Sequence, residues 1–278
     1  MPDAHLFTHD AMNTTFSLRI RGMDEDAARD VARACDDMLD VLETHLSRYI
    51  DGGDVSRINR LGAGETLYLS EPCHQCLLLA LSAYVHTGGL FDITLGTCIE
   101  HRKSGDGGAV PALAGKLTIH PDLPAITCET PGREIDLGGI GKGFALDQLK
   151  QLLTEWEVHD VLLAAGDSSL LAVGPGTWPV ELAGDREAVR VFLTNQALSA
   201  SGSGIQGQHI IHPGGAEAMP AQPCKRIWVI ARTAALAEIW STALMLVESA
   251  EIPEVLAGNA DITAVYVERA DVVQPILL

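Results

Sequence analysis

Four glycines and a lysine stand together at Gly138, Gly139, Gly141, Lys142 and Gly143, between the apolar residues Ile135 to Leu137 and a helical pattern that begins at Phe144. A short strand that delivers such a turn to a helix N-terminus uncovers backbone N–H groups at the positive end of the helix dipole, and Lys142 adds a full charge. That chemistry suits a phosphate. The spacing is neither Gly-x-x-x-x-Gly-Lys-Ser/Thr nor Gly-x-Gly-x-x-Gly with a ribose-binding acid behind it. A tight strand-to-helix junction, whose glycines allow close packing, reads the same residues equally well.

Glu238 and Thr242 are four residues apart in a run otherwise made of Ala, Leu, Ile, Trp, Ser and Met, and so share one face of a helix. A carboxylate and a hydroxyl on an apolar helix need partners, and Mg²⁺ shared with phosphate oxygens would satisfy both. The alternative is an exposed Glu238 and a Thr242 bonded back to its own helix. His209 and His212 fall on an expected short strand and, three apart, point to opposite faces, so that strand does not bring both to one metal. Tyr49, with Arg48 and Arg57 nearby, can stack on a flat ring and pair with anions; a helix-terminal turn with Arg48 at the negative end of the dipole is the plainer reading. Asp92 follows a glycine-capped helix end. Gly166 and Asp167 close a strand, where Asp167 can serve the turn backbone alone.

These side chains sit in a chain of 278 residues carrying 37 acidic against 19 basic groups, a net charge of −18. Such a field repels nucleic acid and anionic membrane surfaces, and a phosphate ligand would need lysine, backbone N–H groups or a metal ion to overcome it locally. No segment has the apolar length of a membrane span, and the first residues lack the pattern of a signal peptide or a lipidated cysteine. The chain is therefore expected to be cytoplasmic as written; one from which an export signal had been removed would read the same. Six cysteines are too sparse for a disulfide framework. Cys73 and Cys76 form a C-x-x-C in the first turn of a helix and lack a second pair to complete a zinc site.

The elements that must position these groups alternate irregularly. Strands are expected over Thr14 to Ile20, Glu65 to Leu69, Lys116 to His120, Ala125 to Cys128, Val161 to Ala164, Ser169 to Val173, Val180 to Leu182, Ala197 to Ser201, Arg226 to Ala231 and Thr263 to Glu268. Helices are expected over Asp24 to Leu46, with Ala27, Val31, Ala34, Met38, Val41 and Leu42 inward, and over Pro72 to Val85, Phe144 to Thr154 and Thr233 to Val247. Helices are too few for a repeating βαβ order, so the expected fold is α+β, a mixed and largely antiparallel sheet arrangement with helices packed on it. No linker divides residues 1–278.

In this order the pieces resemble the ApbE family, the FAD:protein FMN transferases. The resemblance runs from Met12 to Phe16 through Leu46 to Tyr49, Ser56 to Asn59, Gly89 to Thr94, Asp136 to Asp147, Ala165 to Asp167, Ser201 and Gly202, and His209 to Pro213, to Glu238 to Leu244. It implies a Mg²⁺-dependent enzyme that takes FAD as substrate and transfers its FMN half to a Thr or Ser hydroxyl of an acceptor protein, releasing AMP. Hydrolysis of FAD to FMN and AMP, or flavin binding without catalysis, are the alternatives. By resemblance, Mg²⁺ would be held by Glu238, Thr242 and a backbone carbonyl near Gly139. Lys142 would stand beside the diphosphate and His209 would act as general base. Met12, Tyr49, Asp92, Gly166, Asp167, Ser201 and Gly202 would line the FAD pocket. Three positions depart from the family pattern: Asn13 stands in place of glycine, Glu238 in place of aspartate, and His212 in place of aspartate.

Overall fold

The computed structural model describes residues 4–105, 111–202, 211–215 and 218–277. Its first part runs β1 (His5–Ala11), β2 (Thr14–Ile20), α1 (Glu25–Leu46), α2 (Asp54–Ile58), β3 (Thr66–Tyr68), α3 (Glu71–His86), α4 (Gly96–Ser104), β4 (Lys116–His120), β5 (Ala125–Thr130) and α5 (Gly141–Glu155). Then follow β6 (Val161–Ala165), β7 (Ser169–Val173), β8 (Trp178–Ala183), β9 (Ala188–Leu193), β10 (Ala197–Gly202), β11 (Arg226–Ala231), α6 (Ala234–Leu244), α7 (Ile252–Val255), β12 (Ile262–Arg269) and β13 (Val272–Ile276). One sheet has the order β1-β2-β6-β7-β10-β11-β12-β13; β3-β5-β4 and β8-β9 form two smaller ones. The strand pairs are antiparallel, and the parallel contact is an isolated bridge between Leu95 and Glu134. This is a mixed α+β fold with antiparallel sheets.

The large sheet is buried on both faces, which is why β6 and β11 read as continuous apolar runs rather than as alternating ones. Leu163 of β6 and Ile227 and Val229 of β11 join the helices in the main core, while Leu162, Trp228 and Ile230 point the other way. There they meet Trp178, Leu182, Val191 and Leu193 of the β8–β9 hairpin, which covers the second face.

Asp24 caps α1, accepting from the Ala27 N–H, and Ser70 caps α3 in the same way through Cys73, as their residue types predict. The inward stripe of α1 differs from the expected one: Ala28, Val31, Ala32, Cys35, Leu39, Leu42 and Leu46 are buried, whereas Val41 is 53% exposed. Both stripes obey the helical period, and the buried one adds Cys35, Leu39 and Leu46 to the core. Strands β1, β9 and β13 and helices α2 and α4 were not expected; β1 and β13 are sheet edges whose polar outer faces blunt the apolar signal. No strand precedes the glycine turn. Ile135 is instead bracketed by the Asn59 side chain, which donates to its carbonyl at 2.9 Å and accepts from its N–H at 2.7 Å. The side-chain amide does the work of a neighbouring strand. The strand expected around His209 to Pro213 falls partly outside the described residues, and Ile211 to Pro213 are not in a strand.

Candidate functional site

Helices α5 and α6 lie against each other, and each N-terminus is capped by an acid from its partner. Asp147 of α5 accepts from the Ala234 and Ala235 N–H groups at 2.8 and 2.9 Å. Glu238 of α6 accepts from the Gly143 N–H at 2.6 Å through one oxygen and from the Lys142 ammonium at 2.6 Å through the other. The approach is close enough that a Cβ on Gly143 would sit 2.4 Å from the Ala234 carbonyl oxygen. Glu238 is therefore buried, 4% exposed, rather than solvent-facing. The anion position sketched by the glycines at the head of α5 is taken by this carboxylate, which corrects the simple expectation of an open phosphate cradle. Burial pushes the Asp147 carboxyl up to about 6, against the lowering pull of its two backbone donors.

The glycine turn folds over the same point. A Cβ on Gly139 would lie 3.0 Å from the Phe91 ring and 3.6 Å from the Thr242 hydroxyl, so Gly139, Thr242 and Glu238 are gathered at one end of the α5–α6 pair. Thr242 does not bond back to its helix; it is reached at 3.4 Å by the Ser201 hydroxyl, which also lies 2.9 Å from that of Ser241. Ser199 and Ser169 continue this row of hydroxyls into the sheet. The alternation of Ser199 and Ser201 along β10 is the sequence sign of it, and Ser241 was missed because it reads as one more small residue of an apolar helix.

Arg48 is also not a mere helix-end cation. It lies between Glu134 and Asp136, at 2.5 and 3.3 Å, and Asp136 in turn accepts from the Gly138 N–H at 2.8 Å. The neighbouring Tyr49 is 64% exposed, with its hydroxyl 3.0 Å from the Lys103 ammonium. Tyr49 thus faces α4, through Lys103 and Glu100. Asp92 serves its own turn, accepting from Thr94 N–H and hydroxyl, with Arg133 3.5 Å away. Met12 and Asn13 form the two-residue β1–β2 turn, and Gly166 packs beneath it: a Cβ on Gly166 would meet the Thr14 hydroxyl at 2.5 Å. Asp167 is exposed beside it. Gly202 ends β10 one residue beyond Ser201, and His209 lies outside the described residues.

The Thr242 hydroxyl and the Glu238 carboxylate, with the backbone of Gly139 beside Thr242, offer hard oxygens, the chemistry that Mg²⁺ takes. Each Glu238 oxygen keeps a further lone pair beside the hydrogen bond it accepts. The donor set fits such an ion, with Lys142 as a competitor for the carboxylate. A second group of acids, Asp185, Glu268 and Asp271, is bound up with Lys225 and Arg226 on the β11–β12 side and reads as an ion-pair network. Cys73 and Cys76 are both buried, and burial pushes their thiols well above the usual range, so the C-x-x-C is packing rather than redox chemistry.

The model of the ApbE family matches residues 12–266. The chain belongs to the ApbE family. Proteins named FAD:protein FMN transferase are similar to it along most of their length. One from Klebsiella pneumoniae is 23% identical, the alignment covering 97% of this chain and 91% of the relative. Another, from Salmonella typhimurium, is 24% identical over 92% and 82% of the two chains. Among solved structures, the flavinyl transferase ApbE of Pseudomonas stutzeri superposes with a TM-score of 0.83 at 22% identity, covering 98% of this chain and 94% of that one. The flavin transferase ApbE of Vibrio cholerae gives 0.81 at 18%, covering 99% and 97%.

Two of the three departures from the ApbE pattern have a physical account. Met12 and Asn13 have φ of 51° and 58°, the left-handed pair that a two-residue hairpin needs, and asparagine is the side chain that replaces glycine there at least cost. Glu238, one methylene longer than aspartate, reaches the head of α5 with both oxygens. His212 accepts from the Gly214 N–H at 2.9 Å within its own turn, and nothing in the structure explains the exchange of an acid for it.

Proposed function

We propose that the chain transfers the FMN half of FAD to a Thr or Ser hydroxyl of an acceptor protein and releases AMP. The observation that carries this reading is the meeting of Gly139, Thr242 and Glu238 with Lys142 at the end of the α5–α6 pair, in a chain of the ApbE family. The acceptor oxygen forms a bond to the FMN phosphorus, the diphosphate bridge breaks, and the bridging oxygen leaves with AMP. The hydroxyl proton goes to a base, assigned to His209. Lys142 carries a full positive charge to the diphosphate, and Tyr49 offers an exposed ring for the flavin or adenine. Met12, Asp92, Gly166, Asp167, Ser201 and Gly202 are assigned to the surrounding wall. Bound through Gly139, Glu238 and Thr242, Mg²⁺ would supply charge neutralisation at the diphosphate. Two relatives over nearly the full chain carry the matching name, which supports the substrate assignment.

The test is AMP release from FAD, with Mg²⁺ or EDTA, with and without a threonine-containing acceptor peptide. The expected result is AMP and a flavinylated peptide, by mass, only when Mg²⁺ and acceptor are both present. AMP and free FMN without acceptor would make the chain a hydrolase. FAD bound with no AMP formed would make it a flavin-binding protein.

A further inference from the structure

We propose that Lys142 and the divalent cation compete for Glu238, so that the metal position is latched by the ammonium and opened when a diphosphate draws the lysine away. The inference rests on reading Glu238 and Thr242 as metal donors.

Glu238 is 4% exposed and both of its oxygens are engaged, one by the Lys142 ammonium and one by the Gly143 N–H, each at 2.6 Å. Its charge is thus balanced from within the chain. A dication on the same oxygen would sit within a few ångströms of the ammonium, in a partly dry setting where like charges repel strongly. Lys142 can leave: its side chain is 22% exposed, and a lysine is a mobile point charge with three donors. A nucleotide diphosphate arriving at the glycine turn offers that ammonium several anionic oxygens. Moving to them frees Glu238 while the Gly143 N–H still holds the carboxylate in place. Nucleotide and metal binding are then coupled through one lysine, and by linkage each strengthens the other.

The latch uses both oxygens of Glu238, one on the Lys142 ammonium and one on the Gly143 N–H, and a carboxylate one methylene shorter is expected to hold that pair less closely.

The experiment is a Mn²⁺ titration of the full chain without FAD, read as loss of the free-ion signal in electron paramagnetic resonance. Lys142→Met is expected to bind Mn²⁺ at least tenfold more tightly than the unmodified chain, and Glu238→Gln added to it should abolish the gain. Glu238→Asp, which keeps the charge but shortens the arm, is expected to gain affinity too, and serves if Lys142→Met does not fold. Equal affinity, within twofold, in the unmodified chain and in the folded variants would overturn the latch. Because no FAD is present, that failure is distinct from a failure of FMN transfer, which is read as AMP.

Discussion

Among the residues of the glycine turn, only some require glycine, and the difference is measurable. At Gly143 a methyl group would meet the Ala234 carbonyl oxygen at 2.4 Å and the Ala235 Cα at 2.8 Å, backbone atoms that cannot swing aside. At Gly141 the nearest atom is the Leu137 Cβ at 3.9 Å, an ordinary contact. Alanine gains about 1 kcal/mol over glycine in a helix, so Gly141→Ala should be neutral or slightly stabilising. Gly143→Ala should instead destabilise by about 1–3 kcal/mol, as overpacking outweighs propensity. Chemical denaturation of the two variants checks this; equal effects would mean that the helices separate freely. Gly143 was legible as a glycine of interest, but its reason was not: the sequence suggested a bare N–H for a phosphate, and the structure gives that N–H to Glu238.

At the scale of elements, α5 and α6 depend on each other because each supplies the other's N-terminal acid. Asp147, with its carboxyl pushed up to about 6 by burial, binds a proton more tightly in the folded chain than in the unfolded one. Its contribution to stability therefore falls as pH rises through about 6 and recovers as pH drops toward 4. Relative to Asp147→Asn, the unmodified chain should gain on the order of 2 kcal/mol between about pH 7.5 and about pH 4.5, measured as the difference in unfolding free energy. A difference that is flat with pH would mean that the group is solvated. Helix and strand periods located α1, α3, α5, α6 and most central strands to within a few residues. The same periods could not show that α5 and α6 cap one another, since the partners lie far apart along the chain: 87 positions separate Asp147 from Ala234 and 95 separate Gly143 from Glu238.

The whole molecule closes around one main core that draws on residues from Ala11 to Val267, with the β8–β9 hairpin sealing the other face of the large sheet. All six cysteines are free and buried. Under native conditions fewer than one thiol should react with a disulfide reagent within minutes, and all six after denaturation in guanidinium, counted by absorbance. Early reaction of two or more would mean that the elements carrying them open independently of the rest of the core. Among the described residues, no helix is long and apolar enough to cross a membrane.

The sequence by itself determined the α+β class, the positions of the main helices and the family resemblance, because these rest on local periods and on residue chemistry in chain order. Only the tertiary structure decided which face of α1 is buried, that Asn59 stands in for a strand beside Ile135, and that Glu238 is shared between Lys142 and Gly143. The physical reason is common to all three. A buried polar group takes whatever partner the packing brings within reach, and that partner is set by how helices and sheet meet rather than by the neighbours in sequence.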